Sequence, residues 1–473
     1  MPDIQHFVVL MLENRSFDHL FGFRNNVNGL TGNETNLLNP AQPQSGANPA
    51  FPVGNGQPFA VGAGQGPSHS LKGVNIQIFS DPKGPNNGAA AANQGFVKDY
   101  VSSLFQDGIR QPTNDQIGIV MQSLSPDKVP AFTALANAFG VCDNWYCEVP
   151  GPTMPNRMYM HMATSGGFAH NVWDHPFDFD TIYNRLQDGG KSWAVYDHDQ
   201  NEVRQCTKAN AIATADSFRD FVSRFAQDCA SGALPNYSFI IPRFFAKDGP
   251  VNSMHGPFDV RPADKLVADV YNALRANDAI WQKCVLIVTT DEHGGFYDHV
   301  IPPSDGVPNP DKINSPPPGD NASFVPPFQF DRLGLRVPTL LVSPWIAQGT
   351  IHKRLQHTSV LATVKLLYGL GDFLTNRDAS AATFEDQFQA TPRTDTPQSI
   401  NVPQDDIGEA GANEAELPLD SLQQEMLIGI DSLTEDASPP SLMTSSILTL
   451  PATQREAAEF IRARLDAKFG RRG

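Results

Sequence analysis

Five short, mostly apolar runs punctuate the chain, at residues 7–12, 193–196, 238–241, 285–288 and 339–342. They are rich in β-branched residues and do not alternate with polar ones. Strands of a parallel sheet, covered on both faces, have this pattern. Between the runs the period changes to that of a helix. Residues 262–277 carry Leu266, Val267, Val270 and Leu274 on one face, and residues 359–367 repeat the arrangement after the last run. Alternating strands and helices predict an α/β fold, with a mostly parallel central sheet and helices on both faces.

Two stretches interrupt the alternation. Residues 25–95 are rich in Gly, Asn, Pro and Gln, and residues 302–337 begin with a proline-rich run to about 327. Both read as long irregular insertions, either a lid or a decoration, in a catalytic domain spanning 1–375. Residues 376–473 read as an acidic irregular segment and a C-terminal helix packed on the same domain. That helix, 452–469, has Ala457, Phe460, Ile461, Leu465 and Phe469 along one stripe.

Composition narrows the function. The 473 residues are 40% hydrophobic and 18% charged, as in ordinary globular chains. No apolar run approaches the roughly 18 residues of a transmembrane segment. A net charge of −17 argues against a nucleic-acid groove or attraction to an anionic membrane. Eleven acidic residues and no Lys or Arg lie between 394 and 454, which reads as a solvated acidic flap. The start Met1-Pro2-Asp3-Ile4 is not a signal peptide, so the chain is cytoplasmic, or secreted or periplasmic behind a leader already removed. Five cysteines are too few for a disulfide framework. Cys206 and Cys229 form one bridge, or all five are buried thiols. Nothing in the pattern fixes an oligomeric state.

In open α/β sheets ligands bind beyond the carboxyl ends of the strands, so the residues that follow each run matter most. The first run ends in Glu13-Asn14, and the run at 285 leads into Asp291-Glu292-His293-Gly294-Gly295. Three carboxylates and an amide at one sheet edge repel unless they are protonated or a cation holds them. Oxygen donors suit one hard divalent ion such as Ca, Mg, Mn or Zn. Strand-end carboxylates also cap helices, the plainer reading of either pair alone. Thr153 lies in Val149-Pro150-Gly151-Pro152-Thr153-Met154-Pro155, where Pro155 suits a first helical turn. A hydroxyl there has helix N–H groups near it for a phosphate and, beside a metal, would attack phosphorus. Taken alone it is an N-cap. Four histidines stand at telling places: His69 in the first insertion, His198 after a strand, His255, and His293 beside the carboxylates. Each has the chemistry to bind phosphoryl oxygens or protonate a leaving alkoxide. His161, His170, His175 and His352 read as structural.

Together, Glu13-Asn14-Arg15-Ser16-Phe17-Asp18-His19, Pro150-Gly151-Pro152-Thr153 and Asp291-Glu292-His293-Gly294-Gly295-Phe296-Tyr297-Asp298-His299 resemble the bacterial phosphoesterases. That family includes non-haemolytic phospholipases C and an acid phosphatase on an alkaline-phosphatase-like fold. The resemblance runs to about residue 370. It implies that Glu13, Asn14, Asp291 and Glu292 hold one divalent cation, with Thr153 as a further ligand and as the nucleophile. It also implies that His69 and His255 contact the phosphate, with His198 a weaker match. Thr153 departs from the Ser of the acid phosphatase relatives but retains the hydroxyl.

The resemblance implies phospholipase C-like cleavage of phospholipids or related diesters, or broad acid phosphatase action on small phosphomonoesters. Phe51, Phe59, Phe168 and Phe177 are either an apolar rim for acyl chains or core. A non-catalytic, metal-stabilised binding protein would show a broken nucleophile or missing histidines, and neither is seen.

Overall fold

The computed structural model describes residues 2–42, 48–61, 66–173, 175–320, 322–402, 414–415, 417–420, 422–427, 451 and 453–469. Among these the strands, in chain order, are β1 (His6–Leu12), β2 (Thr35–Leu37), β3 (Ala50–Pro52), β4 (Gly140–Cys142), β5 (Trp145–Tyr146) and β6 (Trp193–Asp197). They continue with β7 (Phe218–Asp220), β8 (Tyr237–Ile240), β9 (Cys284–Thr290), β10 (Thr339–Val342), β11 (Gly349–Ile351) and β12 (Leu355–Gln356). Eight of them form one sheet in the order β11-β4-β10-β9-β1-β8-β6-β7. Only β10 runs antiparallel to its neighbours; the other five pairings are parallel. All five apolar runs are strands of this sheet.

The unbroken apolar character of the runs has a simple cause. In β1, Phe7, Val9 and Met11 join one hydrophobic cluster while Val8, Leu10 and Leu12 join another. The same alternation divides Val285 and Ile287 from Leu286 and Val288 in β9. Both sheet faces are therefore dry, and every residue of the two strands is buried. Helix Arg261–Arg275 packs on the second face through Leu266, Val267, Val270 and Leu274. Helix Thr358–Tyr368 packs on the first through Val360, Leu361 and Val364.

The first insertion carries a hydrophobic cluster of its own. β2 and β3 pair antiparallel, and helix Leu71–Phe79 packs Val74 and Ile78 against Phe96, Tyr100 and Leu335. Between β9 and β10 the described residues form no helix and no strand of the sheets; Phe328 and Phe330 anchor that stretch against Leu71, Val149 and Tyr159. The C-terminal helix is Gln454–Phe469, with Ala457 and Ile461 buried in the first cluster beside Leu419, Leu422 and Met426. The side chains of Leu465 and Phe469 lie outside the described residues.

One pair of alternatives is resolved and one expectation is corrected. All five cysteines are free and buried. Cys206 sits in the cluster on one face of the sheet and Cys229 in the cluster on the other, so the sheet itself separates them. Nor is the acidic stretch simply a solvated flap. Of its eleven acids Asp395, Glu414, Asp420 and Glu425 are described, and Glu414 and Asp420 are buried. Among the described residues no helix is long and apolar enough to cross a membrane.

Candidate active site

The register of β1 against β9 creates the site. Leu12 pairs with Thr290, so the next residues, Glu13 and Asp291, emerge side by side at the carboxyl edge. The backbone continues the pairing for a further step. The Asp291 N–H donates to Leu12 O at 3.0 Å and the Arg15 N–H donates to Glu292 O at 3.1 Å. Asn14 takes a left-handed φ of 57°, which asparagine tolerates better than most residues. Gly294 (φ 66°) packs so closely on it that a Cβ would lie 2.2 Å from Asn14 O. Gly295 (φ 73°) lies equally tight on Ser68, next to His69. These glycines are there because no larger residue fits.

Each predicted oxygen donor is held by one hand only. Asp291 Oδ1 accepts the N–H groups of Asn14 (3.1 Å) and Glu292 (2.7 Å), while Oδ2 has no partner. Glu292 Oε2 accepts the Gly294 N–H at 2.7 Å, leaving Oε1 bare. Glu13 Oε1 accepts from Arg157 Nη1 at 3.3 Å, leaving Oε2 bare. Asn14 Oδ1 and Thr153 Oγ1 are likewise without hydrogen-bond partners. All five residues are buried. Buried polar atoms are ordinarily satisfied, so five partnerless oxygens on the five predicted ligands stand out; the donor atoms of Glu13, Asp291 and Glu292 are not among those that lie within 4.8 Å of one another.

The electrostatics agree. Burial, and then the charge of Asp291, hold the Glu13 carboxyl well above its ordinary range. Burial raises Asp291, and it pushes Glu292 up to about 8. The guanidinium in contact, Arg157, is shared with Glu202, whose Oε1 accepts from Nε at 2.7 Å.

Thr153 is the first residue of helix Thr153–Met162, where Pro155 placed it, and Arg157 is one turn further on the same side. The Asn156 side chain fixes the preceding loop, accepting the Val149 N–H and donating to the carbonyls of Val149, Gly151 and Pro152. The Met154 N–H donates to Asn171 Oδ1 at 2.9 Å.

The histidines part company. His69 Nδ1 is 3.3 Å from Asn14 Nδ2, and its ring centroid is 5.8 Å from that of His255. Both rings line a cavity of about 260 Å³ with Pro152, His170, Phe324 and Glu425. His293 adjoins Glu292, with Nδ1 3.4 Å from Oε2, while Nε2 bonds Gln77 Oε1 at 2.7 Å. Burial pushes His293 down to about 3. His198 is not brought to this cavity. Its Nδ1 bonds Ile241 O at 2.9 Å, its ring stacks on Phe221, and it lines a different groove of about 560 Å³ with Arg243 and Lys265.

Sequence reasoning passed over several residues here. Arg157 lies two residues beyond the quoted threonine stretch, and its spacing of four from Thr153 was a usable signal. Asp18, Asp298 and His299 bring donor atoms within 4.8 Å of one another. Arg336 already occupies that cluster, at 2.9 Å from both Asp18 Oδ1 and Asp298 Oδ1. It reads as a buried ion-pair clamp joining the first and third motifs. Of the two readings for the phenylalanines, core holds for Phe51, Phe168 and Phe177; Phe59 packs half-buried beneath Lys128 and Arg261, and 72%-exposed Phe324 lines the cavity.

Comparison with known proteins points one way. The model of the Phosphoesterase family matches residues 4–371. Non-specific phospholipase C1 of Arabidopsis thaliana is 38% identical over 84% of this chain and 73% of its own. Phospholipase C B of Mycobacterium tuberculosis is 27% identical over 85% and 81%. Among solved structures, a protein in the alkaline phosphatase superfamily from Vibrio parahaemolyticus overlays with a TM-score of 0.33 at 10% identity, over 75% of this chain and 86% of that one.

Proposed function

The chain belongs to the Phosphoesterase family and is a phosphoric ester hydrolase; from that premise we propose that it cleaves phospholipids as a phospholipase C, through a phospho-threonine on Thr153 and with one divalent cation. The observation that carries the proposal is the set of five buried, unpartnered oxygens on Glu13, Asn14, Thr153, Asp291 and Glu292. These residues would hold the cation. When bound, it offsets charge on the phosphoryl oxygens and lowers the pKa of the threonine hydroxyl.

The protein's own groups do the rest. Thr153 Oγ, its proton first given up to solvent, attacks phosphorus in line with the leaving oxygen; a bond to threonine forms as the bond to diacylglycerol breaks. His255, whose Nε2 is buried without a partner, gives a proton to the departing oxygen. His69 lies against Asn14 at the same cavity and orients the phosphate. Water then hydrolyses the phospho-threonine and releases the phosphorylated headgroup. Positioning and electrostatic stabilisation supply most of the rate in such transfers.

Exposed Phe324 at the cavity mouth favours a substrate with acyl chains over a small monoester. The test compares nitrophenol release from a phosphate monoester and from a phosphocholine diester, with and without a chelator. The proposal expects the diester to be preferred and activity to vanish on chelation and return with added cation. Preference for the monoester would make the enzyme a broad phosphatase, and activity unchanged by chelation would remove the cation.

A further inference from the structure

The acidic C-terminal stretch reaches the active-site cavity, where Glu425 lines the wall and Asp420 meets His255. Asp420 Oδ2 lies 3.3 Å from His255 Nδ1, and both side chains are about 95% buried, at 4% and 5% exposure. The contact is at ion-pair distance without hydrogen-bond alignment, and neither atom has a hydrogen-bond partner of any kind. An acid whose charge is unshared, buried against an imidazole, is costly unless the two interact.

The rest of Asp420 is tightly fixed. Its Oδ1 accepts the Gln423 N–H at 2.8 Å, and its own N–H donates to Gln423 Oε1 at 3.0 Å, a reciprocal cap on the helical residues 422–427. Gln423 Nε2 in turn donates to Phe244 O at 2.6 Å and to Gln454 Oε1 at 2.7 Å. One carboxylate oxygen is thus committed to the segment's own fold, and the other is presented to the histidine. The His255 side is equally set: its N–H donates to Ser253 Oγ at 3.3 Å, and Ser253 O accepts the Glu13 N–H at 2.7 Å.

We infer that Asp420 is a positioning residue for His255. Its carboxylate keeps a proton on Nδ1 and holds the ring so that Nε2 faces the departing oxygen. This rests on the role proposed above for His255. As the phosphorus–oxygen bond breaks, the Nε2 proton passes to the leaving alkoxide, and a neutral imidazole remains with its Nδ1–H on Asp420. An acid supplied by the C-terminal segment makes that segment part of the proton-transfer apparatus, although the family motif match ends at residue 371.

The experiment uses the full-length chain and two substrates that share a headgroup. Phosphatidylcholine in mixed micelles loses an alkoxide, which needs a proton; 4-nitrophenyl phosphocholine loses a nitrophenolate, which does not. Asp420→Asn keeps the capping oxygen and removes the charge. It should lower kcat on phosphatidylcholine by roughly 10–100-fold, within the span of general acid catalysis, with KM little changed. On the nitrophenyl ester the loss should be under about fivefold. Asp420→Glu, which restores the charge, should recover part of the loss. The Asp420→Asn, His255→Asn double variant should be no slower than His255→Asn alone.

Equal losses on both substrates, or additive losses in the double variant, would reduce Asp420 to a structural cap and overturn the inference. The His255→Asn variant separates the two readings. If it discriminates between the substrates and Asp420→Asn does not, the Asp420 inference alone fails. If His255→Asn slows both substrates equally, the role of His255 fails and the inference with it.

Discussion

Replacing Thr153 by valine should separate stability from turnover in opposite directions. Thr153 is fully buried and its hydroxyl has no partner in the protein. Leaving such a group unsatisfied costs about 1–3 kcal/mol, so a methyl of the same shape should stabilise the cation-free protein by about 1 kcal/mol. With an unfolding entropy of about 2.1 cal/mol/K per residue, a chain of 473 residues unfolding as one unit gains about 1 kcal/mol/K. The melting temperature should therefore rise by only about 1 °C. Turnover should fall at least 10³-fold, about 4 kcal/mol of transition-state stabilisation at 1.36 kcal/mol per decade. Calorimetry in chelator gives the first number, and headgroup release from phosphatidylcholine micelles gives the second. A variant with more than a tenth of wild-type kcat refutes Thr153 as nucleophile. A fall of 5 °C or more in melting temperature refutes the picture of an unsatisfied hydroxyl.

Two further outcomes follow from the geometry. Gly294→Ala places a Cβ 2.2 Å from Asn14 O at a left-handed φ. It should lower stability by at least about 2 kcal/mol in urea melts and cut turnover by displacing Asn14; a wild-type midpoint with wild-type turnover would contradict the packing. Asp264 accepts the N–H groups of Ala131 and Phe132, and burial raises its carboxyl to about 7. A raised acid binds its proton more tightly when folded, so its stabilisation is complete below about pH 4 and is lost as pH rises through 7. Over that window it contributes a slope of about −1.4 kcal/mol per pH unit, which Asp264→Asn should remove from the stability profile. An unchanged slope in the variant would show that this carboxyl does not set it.

Much of this molecule was legible because the chemistry sits at strand ends. Continuous apolar runs marked the strands at β1, β6, β8, β9 and β10, and the residues just beyond β1 and β9 are neighbours at the carboxyl edge of the sheet. The strands β4, β7 and β11 were invisible, being three residues each and too short to show a period. Pro155 placed Thr153 correctly at a helix start. The histidines could not be ranked from spacing alone. His198 and His255 both occupy loops near strands, but Ile241 and Phe221 capture the first while the second faces Asp420. The contact with Asp420 joins positions with no shared periodicity. Net charge misled there too, since an acidic run says nothing about which of its members is buried.

The pairing of β1 with β9 also has a consequence in time. Asn14 and Asp291 touch across 277 positions of sequence. A ribosome adding roughly 5–20 residues per second emits the first half of the site tens of seconds before the second exists. Through that interval a nascent chain has no cleft that can cut an ester, and a product truncated before β9 is inert. A phosphoric ester hydrolase made this way cannot act half-built.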